Sequence, residues 1–103
     1  MFGQIFLCQF LFTSGAVSKA RPVLVLFDLQ QDAVICRATS VLRTGARDVA
    51  PQDWAQAGLA KPSVARLDRL VTAEKTLLTR RLGQLSAQDE AAVRAAWNQY
   101  MKL

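Results

Sequence analysis

The chain has no histidine among its 103 residues. That removes the commonest general acid–base and the commonest metal ligand of enzymes, so any chemistry must run without imidazole, and neither a metal site nor a cofactor is expected. Cysteine is nearly as scarce. Cys8 and Cys36 each sit inside an apolar run, there is no C-x-x-C, and nothing requires a disulfide, so both read as small buried hydrophobes. Positive charge is missing from the start: no Lys or Arg precedes Lys19. A secretory leader needs a basic n-region, an unbroken apolar stretch and a small-x-small site, and here Gln4 and Gln9 interrupt the run. The run is also too short to cross a bilayer as a helix. These absences argue against a leader and a membrane span, and they predict a cytoplasmic protein. No repeats or low-complexity tracts are present.

What the chain does have is apolar and basic. Hydrophobic residues make up 51% and charged ones 20%, enough for a real core and against disorder. The length predicts one small domain, 1–103. The net charge of +5 suits an anionic partner such as nucleic acid, an acidic protein or a membrane surface, though plain solubility uses the same charge.

The opening "MFGQIFLCQFLF" is aromatic and β-branched rather than Leu/Ala-rich, which suits a pleated strand from about Gly3 to Phe12. Phe6, Cys8, Phe10 and Phe12 fall on one face at period two, and Ile5, Leu7 and Leu11 on the other. A strand apolar on nearly both faces is sandwiched inside a sheet or barrel. "TSGAVSKA" reads as a polar loop. "RPVLVLFD" and "DAVICRATS" read as the second and third strands, joined by "LQQ" as a hairpin. Centring that turn on Gln30 sets Val25 opposite Ile35, Val23 opposite Arg37 and Arg21 opposite Thr39.

Beyond the hairpin, "VLRTGARDVA" reads as a basic loop ending in a short strand. "PQDWAQAG" reads as a short helix, with Pro51 in its first turn and Gly58 at its end. "VARLDRLVTAEK" alternates around Val64, with charges outward, as a long strand. "TLLTRRLGQL" is ambiguous between helical turn and strand. Ser86 and Asp89 form a capping signal for a C-terminal helix whose stripe, Val93, Ala96, Trp97, Tyr100 and Met101, reads as core. The pattern is mainly β with peripheral helices (α+β): a small, curved antiparallel sheet or barrel.

Read together, these segments resemble the MazF/PemK toxins. "GQIFLCQFLFTSGAVSKARPVLVL" resembles that family's opening, whose usual form is G-D-I-V-L-V, then F-P-F-T, a loop, and K-R-R-P-A-L-V-L. "AVICRATS" resembles its third strand, and "GLAKPSVARLDRL" through "LGQLS" its later segment. The order and spacing hold over almost the whole chain. Gln4 stands where Asp is usual, Leu11 where Pro is usual, and Ala20 where a basic residue precedes the arginine. The resemblance implies an SH3-like barrel of the MazF/PemK/CcdB type and a homodimer. It also implies the toxin of a type II toxin–antitoxin pair, a metal-independent, sequence-specific endoribonuclease for single-stranded RNA. The family's essential arginine falls on Arg21 and its essential threonine on Thr39, the two residues that the hairpin register places together.

The chemistry fits those roles. A transition state at phosphorus needs donors for its growing charge, and a guanidinium fork and a hydroxyl supply them. The resemblance leaves the base unassigned: arginine is a poor base at its ordinary pKa, and Asp28 and Asp32 lie at the other end of the hairpin. Lys19, Ser40, Arg43 and Arg47 are the expected substrate-binding residues around the same end. Arg80 and Arg81, adjacent and so pointing apart, read as a solvated face, and Trp54 and Trp97 as packing. Two alternatives belong to other classes: a non-catalytic inhibitor of DNA gyrase, as in the related CcdB toxins, and an inactive member that only binds a partner.

Overall fold

The opening apolar run is an interior strand. In the computed structural model, β1 (Gln4–Leu11) pairs antiparallel with β2 (Ser18–Leu29) on one side and with β6 (Leu78–Gln84) on the other. The backbone is described for residues 1–11 and 18–103, and side chains for residues 1–9 and 20–103. The polar loop expected after β1, and the side chains of Phe10, Leu11, Phe12 and Lys19, lie outside these. Between β2 and β6 come β3 (Asp32–Thr39), β4 (Asp48–Val49) and β5 (Val64–Glu74), and the chain ends in α1 (Ala87–Tyr100). A single 3₁₀ turn, Lys75–Leu77, links β5 to β6 and resolves that ambiguous segment as turn followed by strand.

The six strands form one antiparallel sheet in the order β4-β5-β3-β2-β1-β6. The mainly β reading stands. The sheet is not closed into a barrel: among the described residues β4 and β6 are its edges, and each pairs with one neighbour only.

The central strands carry buried side chains on both faces, which is why they are apolar at consecutive positions. On one face Ile5, Leu24, Leu26, Cys36, Ala65 and Leu67 form a core covered by Ala57, Leu59, Leu85 and Val93. On the other, Cys8, Val23, Val25, Ala33, Ile35 and Ala73 cluster with Phe6 and Leu78. The strands supply every described member of this second cluster. Cys8 and Cys36 thus lie on opposite faces, and both are free thiols. Burial pushes the Cys36 thiol up to about 12 and raises that of Cys8 as well.

The hairpin keeps the expected register where it matters for the site. Val23 faces Arg37 and Val25 faces Ile35. Toward the turn a bulge between Val25 and Phe27 shifts the count by one, so Leu29 pairs with Asp32 and the connection is the two residues Gln30 and Gln31 rather than three. Gln30 takes a left-handed conformation, φ 69°, and its N–H donates to Asp28 Oδ1 at 3.2 Å, which supports the tight turn.

The segment 51–58 is not a helix but a hydrogen-bonded turn over residues 52–58, with Ala57 N–H donating to Asp53 O at 3.1 Å and Leu59 N–H to Trp54 O at 3.1 Å. Tertiary contacts hold it in this form. Asp89, almost fully buried in the first turn of α1, accepts the backbone N–H of Gln52 and of Asp53, each at 2.9 Å. Gly58 (φ 92°) and Gly83 pack backbone to backbone: a Cβ on Gly58 would lie 2.2 Å from Leu82 O. The start of α1 is as expected, with Ser86 Oγ accepting from Asp89 N–H at 3.3 Å. Of the expected stripe, Val93 is buried, Ala96, Trp97 and Met101 pack against the core, and Tyr100 is exposed. Trp54 packs as well, while Trp97 meets Phe27 edge-on at 5.3 Å. Arg80 and Arg81 are exposed on β6. No helix among the described residues is long and apolar enough to cross a membrane.

Candidate functional site

Alternation along the strands places a set of polar side chains on the face that carries the second cluster. On β2, Arg21 follows the parity of Val23 and Val25. On β3, Arg37 and Thr39 follow that of Ile35. On β5, Arg66 lies between Ala65 and Leu67, both turned to the first core, and so takes the same side as Arg37. At this end of the hairpin the apolar residues give way to charge, and a cleft of about 470 Å³ opens.

Arg21, Arg37, Arg43, Lys61 and Arg66 line the cleft together with Thr39, Ser40 and Ser63. Among the described residues no carboxylate, imidazole or thiol lines it, and the groups that do are donors suited to anionic oxygens. The β2–β3 ladder ends at Val23–Arg37; Arg21 and Thr39, each two residues beyond that pair on its own strand, both line the cleft. Thr39 is half-buried, and its Oγ1 accepts the N–H of Val41 at 3.1 Å. The hydroxyl proton is therefore available to an acceptor in the cleft.

Four of the expected site residues, Arg21, Thr39, Ser40 and Arg43, come together here. Lys19 has its backbone in β2, opposite Phe10, and its side chain lies outside the described residues. Arg47 is exposed and does not line the cleft; its carbonyl accepts Leu67 N–H at 2.9 Å. Lys61 and Arg66 were not expected. Arg66 reads in sequence as one of the outward charges of an alternating strand, and its partner strand is not legible locally. Asp28 and Asp32 lie at the turn end, remote from the cleft, where a hydrogen bond from Lys75 holds the Asp28 carboxyl below its usual range.

The basic loop before β4 is tied to the sheet through Asp48. Its Oδ2 accepts Gly45 N–H at 3.0 Å, its own N–H donates to Gly45 O at 3.0 Å, and its Oδ1 lies 3.6 Å from Arg66 Nε. That arrangement sets the Arg43-bearing loop beside the cleft.

The fold is a mainly β sheet with one terminal helix, and the described lining of its cleft is cationic; similarity to known proteins adds the family. The family model of PemK-like, MazF-like toxins of type II toxin–antitoxin systems matches residues 1–101. The chain belongs to this family of toxins, which are known as endoribonucleases. Among solved structures, the Mycobacterium tuberculosis toxin MazF-mt6 is 29% identical, with 95% of this chain and 96% of that one covered and a TM-score of 0.76. A mycobacterial endoribonuclease in complex with its cognate antitoxin is 23% identical over 98% and 93% of the two chains, TM-score 0.75. A MazE–MazF structure from Deinococcus radiodurans has the same fold, with 18% identity over 97% and 94% and a TM-score of 0.77. No curated protein matches by sequence.

Proposed function

We propose that this chain is a metal-independent, sequence-specific endoribonuclease that cleaves single-stranded RNA in the cytoplasm, works as a homodimer, and is neutralised by a cognate antitoxin protein. One observation carries the reading: Arg21 and Thr39 share a cleft whose other charged lining, among the described residues, is cationic. A phosphodiester is the substrate such walls select.

In the reaction the ribose 2′-oxygen attacks phosphorus, the 5′-oxygen leaves, and negative charge accumulates on the non-bridging oxygens. The planar fork of Arg21 matches two of those oxygens, and donors already in place lower the barrier without reorganising. Thr39 adds one hydroxyl donor, aimed by the Val41 contact. Ser40 and Arg43, on the adjoining segment, hold neighbouring parts of the strand, and Lys19 and Arg47 are taken as further contacts to the RNA backbone.

The test is incubation of the purified protein with a long single-stranded RNA in EDTA. Discrete cleavage is expected, abolished by Arg21→Ala or Thr39→Val in proteins that still fold. Inhibition of DNA gyrase without cleavage of any RNA would overturn the reading in favour of the CcdB-like alternative. Neither activity, with retained antitoxin binding, would leave a member that only binds its partner.

A further inference from the structure

Asp48 is a carboxylate set beside a cationic cleft that it does not itself line. It sits on the edge strand β4, directly across from Arg66 on β5, and Arg66 does line the cleft. The Asp48 side chain is only 9% exposed and that of Arg66 20%, so solvent screens the pair little. The two carboxylate oxygens have different partners. Oδ2 accepts the N–H of Gly45 at 3.0 Å, in the loop that carries Arg43. Oδ1 lies 3.6 Å from Arg66 Nε, beyond ordinary hydrogen-bond length. That Nε is buried with no hydrogen bond among the described residues, so the attraction of the carboxylate is what offsets its charge there. Gly45 leaves room for the arrangement: a Cβ there would lie 2.8 Å from Asp48 Oδ2.

We propose that Asp48 is a positioning residue of the RNA site: it holds Arg66 in place in the cleft wall, with the Arg43 loop tied to the same carboxylate. The proposal rests on the RNA-cleavage reading above. The sign of its effect separates it from plain electrostatics. By Coulomb's law alone, removing a negative charge beside an RNA cleft tightens RNA binding. Loss of a positioning group weakens binding instead, because the freed arginine has to be ordered again as the RNA docks. Asparagine has one oxygen where aspartate has two. It keeps the Gly45 contact only by turning its NH2 toward Arg66, so Asp48→Asn releases either the arginine or the loop.

The test measures affinity for a short fluorescent RNA of random sequence with 2′-O-methyl riboses, which lacks the attacking hydroxyl. The proteins are the wild type, Asp48→Asn, Arg66→Gln and the double variant. Asp48→Asn is expected to weaken binding about tenfold, the order of one charge-assisted hydrogen bond, although it makes the chain more positive. Arg66→Gln should weaken binding by itself. In the Arg66→Gln background, Asp48→Asn should cost much less than in the wild type, because the group it acts through is gone. Unchanged or tighter binding in Asp48→Asn, wild-type affinity in Arg66→Gln, or an equal loss with and without Arg66 would each overturn the proposal.

Should Arg66→Gln fail to fold, Arg66→Met keeps the apolar stem and takes its place. Should Asp48→Asn fail to fold, Gly45→Ala alters no charge and pushes the carboxylate from its position; it should also weaken binding, and wild-type affinity there would refute the role. Kinetics separate positioning from loss of fold. On an RNA whose cleavage site has been mapped, Asp48→Asn should raise KM about tenfold and leave kcat within about twofold, since Arg21 and Thr39 are untouched. A partly unfolded population lowers kcat at unchanged KM, and that result would make Asp48 structural only. Cleavage by the wild type with unchanged or tighter binding by Asp48→Asn sinks this inference alone. A wild type that binds RNA without cleaving it sinks the proposed function, and the affinities still decide the role of Asp48. A wild type that neither binds nor cleaves RNA sinks both.

Discussion

Val41 donates its backbone N–H to the hydroxyl oxygen of Thr39 at 3.1 Å, one turn beyond the end of β3. One lone pair is thereby occupied, and the hydroxyl is set to donate rather than accept on its other side. Thr39→Val keeps the shape and removes the donor. Loss of about 100-fold or more in cleavage rate is expected, as for other single transition-state donors, with a stability loss of only about 1 kcal/mol for the missing Val41 contact. Thr39→Ser keeps both bonds and should retain most of the activity. Rates on a mapped RNA, alongside urea unfolding, separate these effects. A Val variant as fast as the wild type would remove Thr39 from the mechanism.

Asp89 joins two segments far apart in sequence by accepting the N–H groups of Gln52 and Asp53. Asp89→Asn presents an amide where one carboxylate oxygen had been, leaving a buried N–H without an acceptor. The expected cost is about 1–3 kcal/mol, read as a lower urea midpoint with an unchanged m-value. Ser86→Ala, which removes the cap of α1, should cost about 1 kcal/mol. If Asp89→Asn were the milder of the two, the tie between the turn and α1 would be secondary to the cap.

The two thiols are inert in the folded chain by burial. A thiol reagent at pH 8 should label neither Cys8 nor Cys36 until the protein is unfolded, and then both. Burial raises the Cys36 pKa from 9.0 to about 12, so the folded state holds its proton where the unfolded state has lost it. That contribution to stability is fully present below pH 9.0 and is lost as the pH rises toward 12. Melting temperatures should therefore fall more steeply above pH 9 for the wild type than for Cys36→Ala. Parallel declines would assign the alkaline loss to other groups.

Strand β1 hydrogen-bonds on both edges and supplies Ile5 to one core and Cys8 to the other. Removing residues through Ala20 takes away an interior strand, half of Arg21's setting and the only described partner of β6. The truncated chain should show no cooperative melt. A soluble, folded and active truncated form would contradict this and revive the view of the segment as a removable leader.

Local patterns carried much of this protein. The hairpin from Val23 to Arg37, the capped terminal helix, the long strand from Val64 and the juxtaposition of Arg21 with Thr39 all follow from period, turn and cap, whose physics acts within a few residues or across one tight turn. The segment 51–58 shows where that stops. Its proline, glycine and amphipathic pattern describe a helix, and the chain instead forms a turn because Asp89 and Gly83, far along the sequence, meet its backbone.

The cleft divides the same way. Strand alternation alone sets Arg21, Arg37 and Thr39 on one face of a hairpin. The position of Arg66 belongs to the tertiary structure. In the β3–β5 ladder Ile35 faces Val71 and Cys36 faces Leu70, and an unbroken register would then set Arg69 against Arg37. A shift at that point brings Arg66 there instead, while Leu67 turns into the first core and donates to Arg47 O. Pairing between strands separated by a long connection, and the irregularities within it, depend on the packing of both faces at once. The sequence by itself determined the strands, the cap and the Arg21–Thr39 pair, because their causes are local. Only the tertiary structure decided which further cations surround that pair.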